Sequence, residues 1–224
     1  MPEITIPFSL KIKDPGSAAT HFVGAIASIV AAPFLIAKFI HAGADALSVV
    51  SAAVFVISML LLYSASTVYH TVVSKPATDK LLKKIDHMMI FVLIAGTYSP
   101  ICLTALRSGC GIYLLAGIWG LAAIGMIFKF FWVTCPKWVS STIYIGMGWL
   151  CVFAIPEILH TIPLQGFLFL LAGGLVYTVG GVLYAMKFTL FNNRHKYFGS
   201  HEIFHLLVML GNLLQFITIY NYLV

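Results

Sequence analysis

The chain has 224 residues, of which 61% are apolar and only 9% are charged, and its formal net charge is +6. A soluble domain usually carries about a quarter charged residues, so this chain has too few polar groups to cover a water-facing surface. Its basic residues lie between long apolar runs, which favours anionic lipid headgroups over nucleic acid as partners. These properties indicate a membrane protein.

The chain begins with a short polar stretch. Residues 1–20 lack the basic start, the apolar stretch and the small-residue cleavage site that together mark a signal peptide. They are predicted to form an N-terminal tail in the cytoplasm, and residues 21–224 are predicted to form one membrane domain.

Seven apolar runs follow, and a helix needs about 20 residues to cross the hydrocarbon layer. The runs are Phe22–Ile40, Ala46–Tyr69, Ile85–Leu106, Ile112–Phe131, Val139–Ile155, Gln165–Met186 and Ile203–Tyr222. Helix is predicted because a spanning segment must satisfy its own backbone hydrogen bonds, and these runs are too uniformly apolar for barrel strands. The predicted fold is an all-α membrane protein with seven transmembrane helices. The fifth is the weakest, because Gly146, Gly148 and Pro156 interrupt or border it.

The Lys and Arg residues alternate with the runs. Eleven of the thirteen fall in the tail and in the second, fourth and sixth connections, whereas Lys38 and Arg107 lie toward the other side. Cytoplasmic connections carry an excess of basic residues, so the N-terminus is predicted in the cytoplasm. Seven crossings then place the C-terminus on the opposite side.

Polar residues are concentrated at three ends of these runs. Ionisable groups in membrane spans are costly and usually mark function. They are Ser66 and His70 at the end of the second run, Asp86 and His87 at the start of the third, and His201, Glu202 and His205 at the start of the seventh. Successive runs cross in opposite directions, so all three ends are predicted at the cytoplasmic leaflet.

Three of these residues form a candidate metal site. His201 and His205 are four residues apart, which places them one helical turn apart on one face, and His70 would be a third ligand. Zinc suits nitrogen ligands and a tetrahedral shell with a fourth position left for water. The remaining histidines are predicted to contact headgroups or backbone instead; they are His21, His41, His160 and His195.

The string His201–His205 also fits H-E-x-x-H, in which Glu is the general base of zinc proteases. In those enzymes the helix borders a water-filled cleft, whereas this one is about to enter the bilayer. Glu202 lies about 100° around the helix from His201. Asp86 is the rival candidate for the base, because it begins a different helix and can approach a water at the metal from the open side.

Three stretches carry a family resemblance. They read Ser-Thr-Val-Tyr-His at 66–70, Asp-His-Met-Met-Ile-Phe-Val-Leu-Ile-Ala-Gly-Thr-Tyr-Ser-Pro at 86–100, and His-Glu-Ile-Phe-His at 201–205. Together they resemble the hemolysin III family of bacterial membrane proteins, which is related to the progestin and adipoQ receptors. The resemblance implies a bacterial cytoplasmic membrane, zinc held by His70, His201 and His205, Asp86 in contact with the zinc-bound water, and Ser66 close by. His87 either hydrogen-bonds Asp86 or faces headgroups, and the second interpretation is favoured.

The related receptors and the alkaline ceramidases imply hydrolysis of a lipid amide. The leading hypothesis is therefore a zinc-dependent hydrolase in membrane lipid homeostasis, with Asp86 as proton acceptor and Ser66 orienting water or stabilising the oxyanion. The alternative is a non-catalytic lipid sensor or receptor-like protein with structural zinc. A pore-forming hemolysin or a transporter ranks third, because no amphipathic hairpin is evident and the outer half of the runs is almost entirely apolar.

Overall fold

A computed structural model describes residues 11–186 and 199–224 of the chain. Over these residues the secondary structure is entirely helical. The helices are α1 (Pro15–His41), α2 (Ala46–Thr71), α3 (Pro76–Leu103), α4 (Gly111–Phe131), α5 (Lys137–Gly148), a 3₁₀ segment (Trp149–Ala154), α6 (Ile155–Thr161), α7 (Leu164–Met186) and α8 (Ser200–Tyr222). Seven described segments are long and apolar enough to span a membrane, with α5, the 3₁₀ segment and α6 forming the fifth. The predicted seven-helix membrane fold is confirmed.

Two helices begin well before the apolar runs from which they were predicted. Helix α1 begins at Pro15 rather than Phe22, and α3 begins at Pro76 rather than Ile85. A proline in the first turn has a backbone angle that already suits a helix and lacks only an N–H that would be unpaired there. Hydropathy marks where a helix enters lipid, so it misses these polar first turns.

The seven spans form a closed ring. Each span packs on the next in chain order, and α8 returns to pack on α1. Helix α3 also contacts α5 and α8, and it is the most buried of the seven spans. The ring brings the end of α2 and the starts of α1, α3 and α8 to one side of the bundle, which we call the N-terminal side.

The weakest predicted span is one continuous crossing with a break in its middle. The 3₁₀ segment ends at Ala154, two residues before Pro156, whose ring disrupts a regular α-helix that precedes it. Tyr98 of α3 satisfies the freed backbone groups. Its hydroxyl donates to the carbonyls of Met147 (3.0 Å) and Gly148 (2.7 Å) and accepts from the backbone N–H of Cys151 (3.0 Å).

Replacing Tyr98 by phenylalanine should therefore destabilise the fold. The change leaves the Cys151 N–H without its partner in an apolar interior and removes one hydrogen bond from two carbonyls, and we expect the free energy of unfolding to fall by about 1–3 kcal/mol. Thermal unfolding in detergent measures the loss. Tyr113→Phe is the matched control, because Tyr113 is 80% exposed. Equal melting temperatures for the two variants would contradict this role for Tyr98.

One basic residue expected in a connection is inside the protein. Lys129 lies in the last turn of α4 and is fully buried. Its amine donates to the Cys135 thiol (3.1 Å) and to the Ser140 hydroxyl (2.5 Å). Lys129 is therefore not available to lipid headgroups.

Candidate metal centre

Three histidines meet on the N-terminal side of the bundle. His70 lies in the last turn of α2, and His201 and His205 lie in the first two turns of α8. One ring nitrogen from each lies within 4.8 Å of those of the other two. His70 and His205 are buried, and His201 is partly buried. The structure thus brings together the three residues that the sequence singled out as ligands.

The spacing of two of these nitrogens suits a shared metal ion. The Nε2 atoms of His70 and His201 are 3.2 Å apart. Two nitrogens bound to one tetrahedral zinc, each at ~2.0–2.1 Å, lie about 3.3 Å from each other. The donor set and its spacing therefore fit a zinc-like ion.

The tautomer of His70 follows from its second ring nitrogen. The Nδ1 atom of His70 lies 3.0 Å from the Asp14 carboxylate. An ionised carboxylate only accepts hydrogen bonds, so Nδ1 carries the proton and donates it. Nε2 then keeps its lone pair, as a metal ligand requires. A carboxylate behind a ligating histidine is a common feature of zinc sites.

The same tautomer follows for His205. Its Nδ1 atom lies 3.1 Å from the hydroxyl of Thr20. That hydroxyl already donates to the Ser17 carbonyl at 2.9 Å, so it accepts from Nδ1. Nε2 of His205 is again the free donor atom. Two of the three candidate ligands are thus oriented by residues of α1 and the segment before it.

Glu202 has a structural task at the start of α8. One carboxylate oxygen accepts from the backbone N–H of Gly199 at 2.7 Å, which caps the helix. The other accepts from the Ser17 hydroxyl. Both oxygens therefore already have partners, which argues against Glu202 as the general base of an H-E-x-x-H site.

Asp86 and Ser66 lie beside the histidines. Asp86 is buried in α3 and lies close to His70 and Ser66. It is not among the residues whose ligand atoms lie within 4.8 Å of one another. Ser66 is fully buried one turn before His70. Among the described residues, no group lies at the distance and angle of a normal hydrogen bond to its hydroxyl. Asp86 is thus a neighbour of the three candidate ligands, and it lines the cavity described below.

Two other histidines are not where the sequence predicted them. His87 does not face headgroups: it is buried, it lines a cavity, and its Nδ1 has no partner in the described chain. His21 is buried and stacks on His205, and neither of its ring nitrogens has a hydrogen-bond partner in the described part of the chain. The early starts of α1 and α3 explain both errors, because they carry these residues deeper into the bundle. His41 and His160 are exposed as expected, and His195 lies outside the described residues.

A cavity of about 170 Å³ opens beside the histidines. Its lining runs from His21, Asp86, His201 and His205 to Leu106, Ile158 and Gln215. Ten residues of α8 separate His205 from Gln215, which is about 15 Å along a helix. The cavity is lined mostly by apolar side chains, so it connects the polar cluster with the apolar interior of the bundle.

Comparison with known protein families shows the family to which the chain belongs. A family model described as haemolysin-III related matches residues 10–216. The chain belongs to this family. The match runs from the segment before α1 into the second half of α8, so it includes the helix ends that carry all three histidines.

Two bacterial relatives of this haemolysin-III related chain match over nearly the whole length. Hemolysin-3 of Bacillus cereus is 41% identical over 208 residues, covering 92% of this chain and 90% of the relative. The hemolysin-3 homolog of Bacillus subtilis (strain 168) is 37% identical over 215 residues, covering 96% of each. The monocyte to macrophage differentiation factor of Homo sapiens is 26% identical over 178 residues, covering 78% of this chain and 71% of that protein.

In this haemolysin-III related chain the segment before α1 is tied to the end of α2. The backbone N–H of Asp14 donates to the His70 carbonyl at 2.8 Å. The Lys13 amine donates to Asp79 at 2.6 Å and lies 3.6 Å from the centre of the Tyr69 ring. Partial burial opposes the charged form, but the hydrogen bonds to Asp79 and Tyr69 outweigh it and raise the pKa of Lys13. These contacts hold the Asp14 carboxylate against His70.

Removal of the Asp14 carboxylate should weaken metal binding. Loss of such an outer partner typically costs 10–100-fold in affinity, and we expect Asp14→Ala to fall in that range while it folds normally. Competition with a metal chelator measures the affinity. Asp45→Ala is the control, because it removes a carboxylate at the opposite end of α2 that pairs with Ser48 and Arg107 and not with a histidine. Identical affinities for Asp14→Ala and wild type would refute the contribution of Asp14.

Sequence reasoning missed the residues that orient the ligands. Asp14, Ser17 and Thr20 follow one another at a spacing of three, which places them along one side of a helical turn. That pattern marks a polar face but does not name its partners. The partners became evident only when the closed ring brought α1 against both α2 and α8.

Proposed function

We propose that this haemolysin-III related protein is a zinc-dependent hydrolase of a lipid amide, acting in membrane lipid homeostasis. The observation that carries the proposal is a set of three histidines whose nitrogens lie within 4.8 Å of one another, two of which, His201 and His205, line a mostly apolar cavity. The excess of basic residues on the N-terminal side supports a cytoplasmic position for this site. The membrane concerned would be the bacterial cytoplasmic membrane, because the two relatives that match nearly the whole chain are from bacteria.

His70, His201 and His205 would hold the ion through three ring nitrogens and leave one tetrahedral position open. Zinc bound there supplies Lewis-acid polarisation of a carbonyl oxygen and activation of a water molecule. Asp14 and Thr20 accept hydrogen bonds from the Nδ1–H groups of His70 and His205. The Nε2 atoms therefore keep their lone pairs for a metal ion. Ligand side chains that are already held in position by hydrogen bonds lose little conformational entropy when they bind a metal ion.

Asp86 would carry the proton through the reaction. As the oxygen of water adds to the amide carbonyl carbon, the Asp86 carboxylate accepts a proton from that water. As the carbon–nitrogen bond then breaks, Asp86 returns the proton to the leaving nitrogen. The products are a fatty acid and an amine, so no other reactant is needed.

Ser66 would contribute a hydroxyl next to Asp86. Its Oγ atom is buried and has no hydrogen-bond partner of ordinary geometry among the described residues. A buried donor of this kind is available to orient the attacking water or to stabilise the negative oxygen that develops on the carbonyl. Its position one turn before His70 supports this role.

The cavity would hold the acyl chain. Its far end is lined by Leu106, Ile158 and other apolar side chains, which favour a hydrocarbon over a polar ligand. A lipid whose amide lies at the histidines would place its chain along α8 toward Gln215. This arrangement explains why a polar cluster lies at the mouth of an apolar space.

The test is hydrolysis of a long-chain ceramide by the purified protein. We expect zinc-loaded protein to release fatty acid, a chelator to stop the release, and added zinc to restore it. Release that continues after zinc has been removed would contradict the proposal. Bound ceramide that is never cleaved by zinc-loaded protein would also reject the hydrolase and would favour the lipid-sensor alternative.

A further inference from the structure

A buried histidine next to the candidate metal centre has no hydrogen bond. His21 of α1 is 3% exposed, and neither of its ring nitrogens has a partner among the described residues. Its ring stacks on His205 with centroids 3.6 Å apart and an interplanar angle of 8°. On another side it meets the Tyr63 ring at 5.0 Å. His21 also lines the cavity.

Stacking alone does not explain a histidine at this position. A phenyl ring would stack on His205 without burying two polar atoms, and a buried polar group without a partner is destabilising. His21 is also not one of the residues whose ligand atoms lie within 4.8 Å of one another. Its nitrogens therefore call for a partner other than the metal.

Two polar groups of described residues next to His21 already have other partners. The Thr20 hydroxyl bonds Ser17 and His205, and the Tyr63 hydroxyl accepts from the side chain of Asn212. No described residue therefore pairs with His21, and a molecule in the cavity that His21 lines is placed to do so. A neutral imidazole offers one N–H donor and one acceptor, and a hydroxyl group offers the same pair in return.

We propose that His21 binds a hydroxyl group carried by the amine side of the lipid amide, close to the amide itself. This inference rests on the proposed function and defines the substrate class more narrowly, as amides of amino alcohols. The acyl chain extends from the histidines into the cavity, so the amine side stays at the polar cluster. His21 distinguishes a hydroxylated amine from a plain alkyl amine at that place.

The test uses two probes that differ by one hydroxyl group: N-oleoylethanolamine and N-ethyloleamide. Wild-type protein should bind the ethanolamide about fivefold to tenfold more tightly, as one added hydrogen bond implies. His21→Phe keeps an aromatic ring against His205 but has no nitrogen, so it should bind both probes equally. His21→Leu is a second variant without the nitrogens, in case the larger ring disturbs folding. Zinc content should match wild type in either variant.

The outcomes separate this inference from the proposed function. If wild type binds neither probe, the lipid-amide function itself fails. If wild type binds both with equal affinity, or if the preference for the ethanolamide survives in His21→Phe and His21→Leu, the amide function stands and the role of His21 is rejected. Loss of zinc from folded variants would also overturn the proposal, because it would show that His21 acts by supporting the metal ligands.

Discussion

Replacement of His201 by alanine is expected to abolish stoichiometric zinc binding by the purified protein. His201 and His205 are one helical turn apart on α8 and, together with His70, offer three nitrogens to one ion. The variant keeps only two nitrogens from two different helices. Its zinc affinity should therefore fall by more than the roughly 10–100-fold that loss of an outer partner costs.

Elemental analysis of detergent-purified protein gives the zinc content directly. His160→Ala is the matched control, because His160 is an exposed histidine on another span and its loss should leave zinc unchanged. A His201→Ala protein that still carries one zinc per chain would refute the assignment of His201 as a ligand. Helical content measured by circular dichroism shows whether the variant has folded.

Replacement of Asp86 by alanine is expected to stop amide hydrolysis while zinc remains bound. The carboxylate lies close to His70 and Ser66 but outside the set of ligand atoms, so its removal leaves the three nitrogens in place. Proton transfer by a positioned side chain typically contributes 10²–10⁴-fold to the rate. We expect turnover to fall by about that factor, with little change in the binding of the lipid.

Rates of fatty acid release and zinc content should be measured on the same preparation. Asp45→Ala serves for comparison, because Asp45 is an exposed carboxylate at the far end of α2 that pairs with Ser48 and Arg107 instead of a histidine. Turnover at the wild-type rate in Asp86→Ala would reject Asp86 as the base. Loss of zinc together with activity would assign Asp86 to the metal shell.

The seven spans and the meeting of the histidines follow from properties visible in one sequence. Apolar runs of spanning length predict helices, and their alternating direction places His70 and the His201–His205 pair on the same side. The positions of His21 and His87 did not follow, because polar first turns lengthen α1 and α3 beyond their apolar parts. The predicted starts of these two helices were wrong, whereas the predicted number and order of the helices were right.

Polar residues deep in α8 were also missed. Asn212 is almost fully buried and bonds the hydroxyls of Tyr63 and Tyr177. Gln215 is buried as well and donates to the Leu170 carbonyl at 3.1 Å. A hydropathy average over a whole span hides two amides among many apolar neighbours. Their partners lie on α2 and α7, which only the assembled ring reveals.

The attachment of the segment before α1 to His70 has a practical consequence for recombinant work. Trimming the chain past Asp14, or fusing a folded tag close to it, removes or displaces the carboxylate that orients a candidate ligand. Protein prepared in this way would bind less metal although its transmembrane helices are intact. The low metal content would then be mistaken for a sign of incomplete folding. The other terminus ends on the far side of the bundle, so affinity handles belong there.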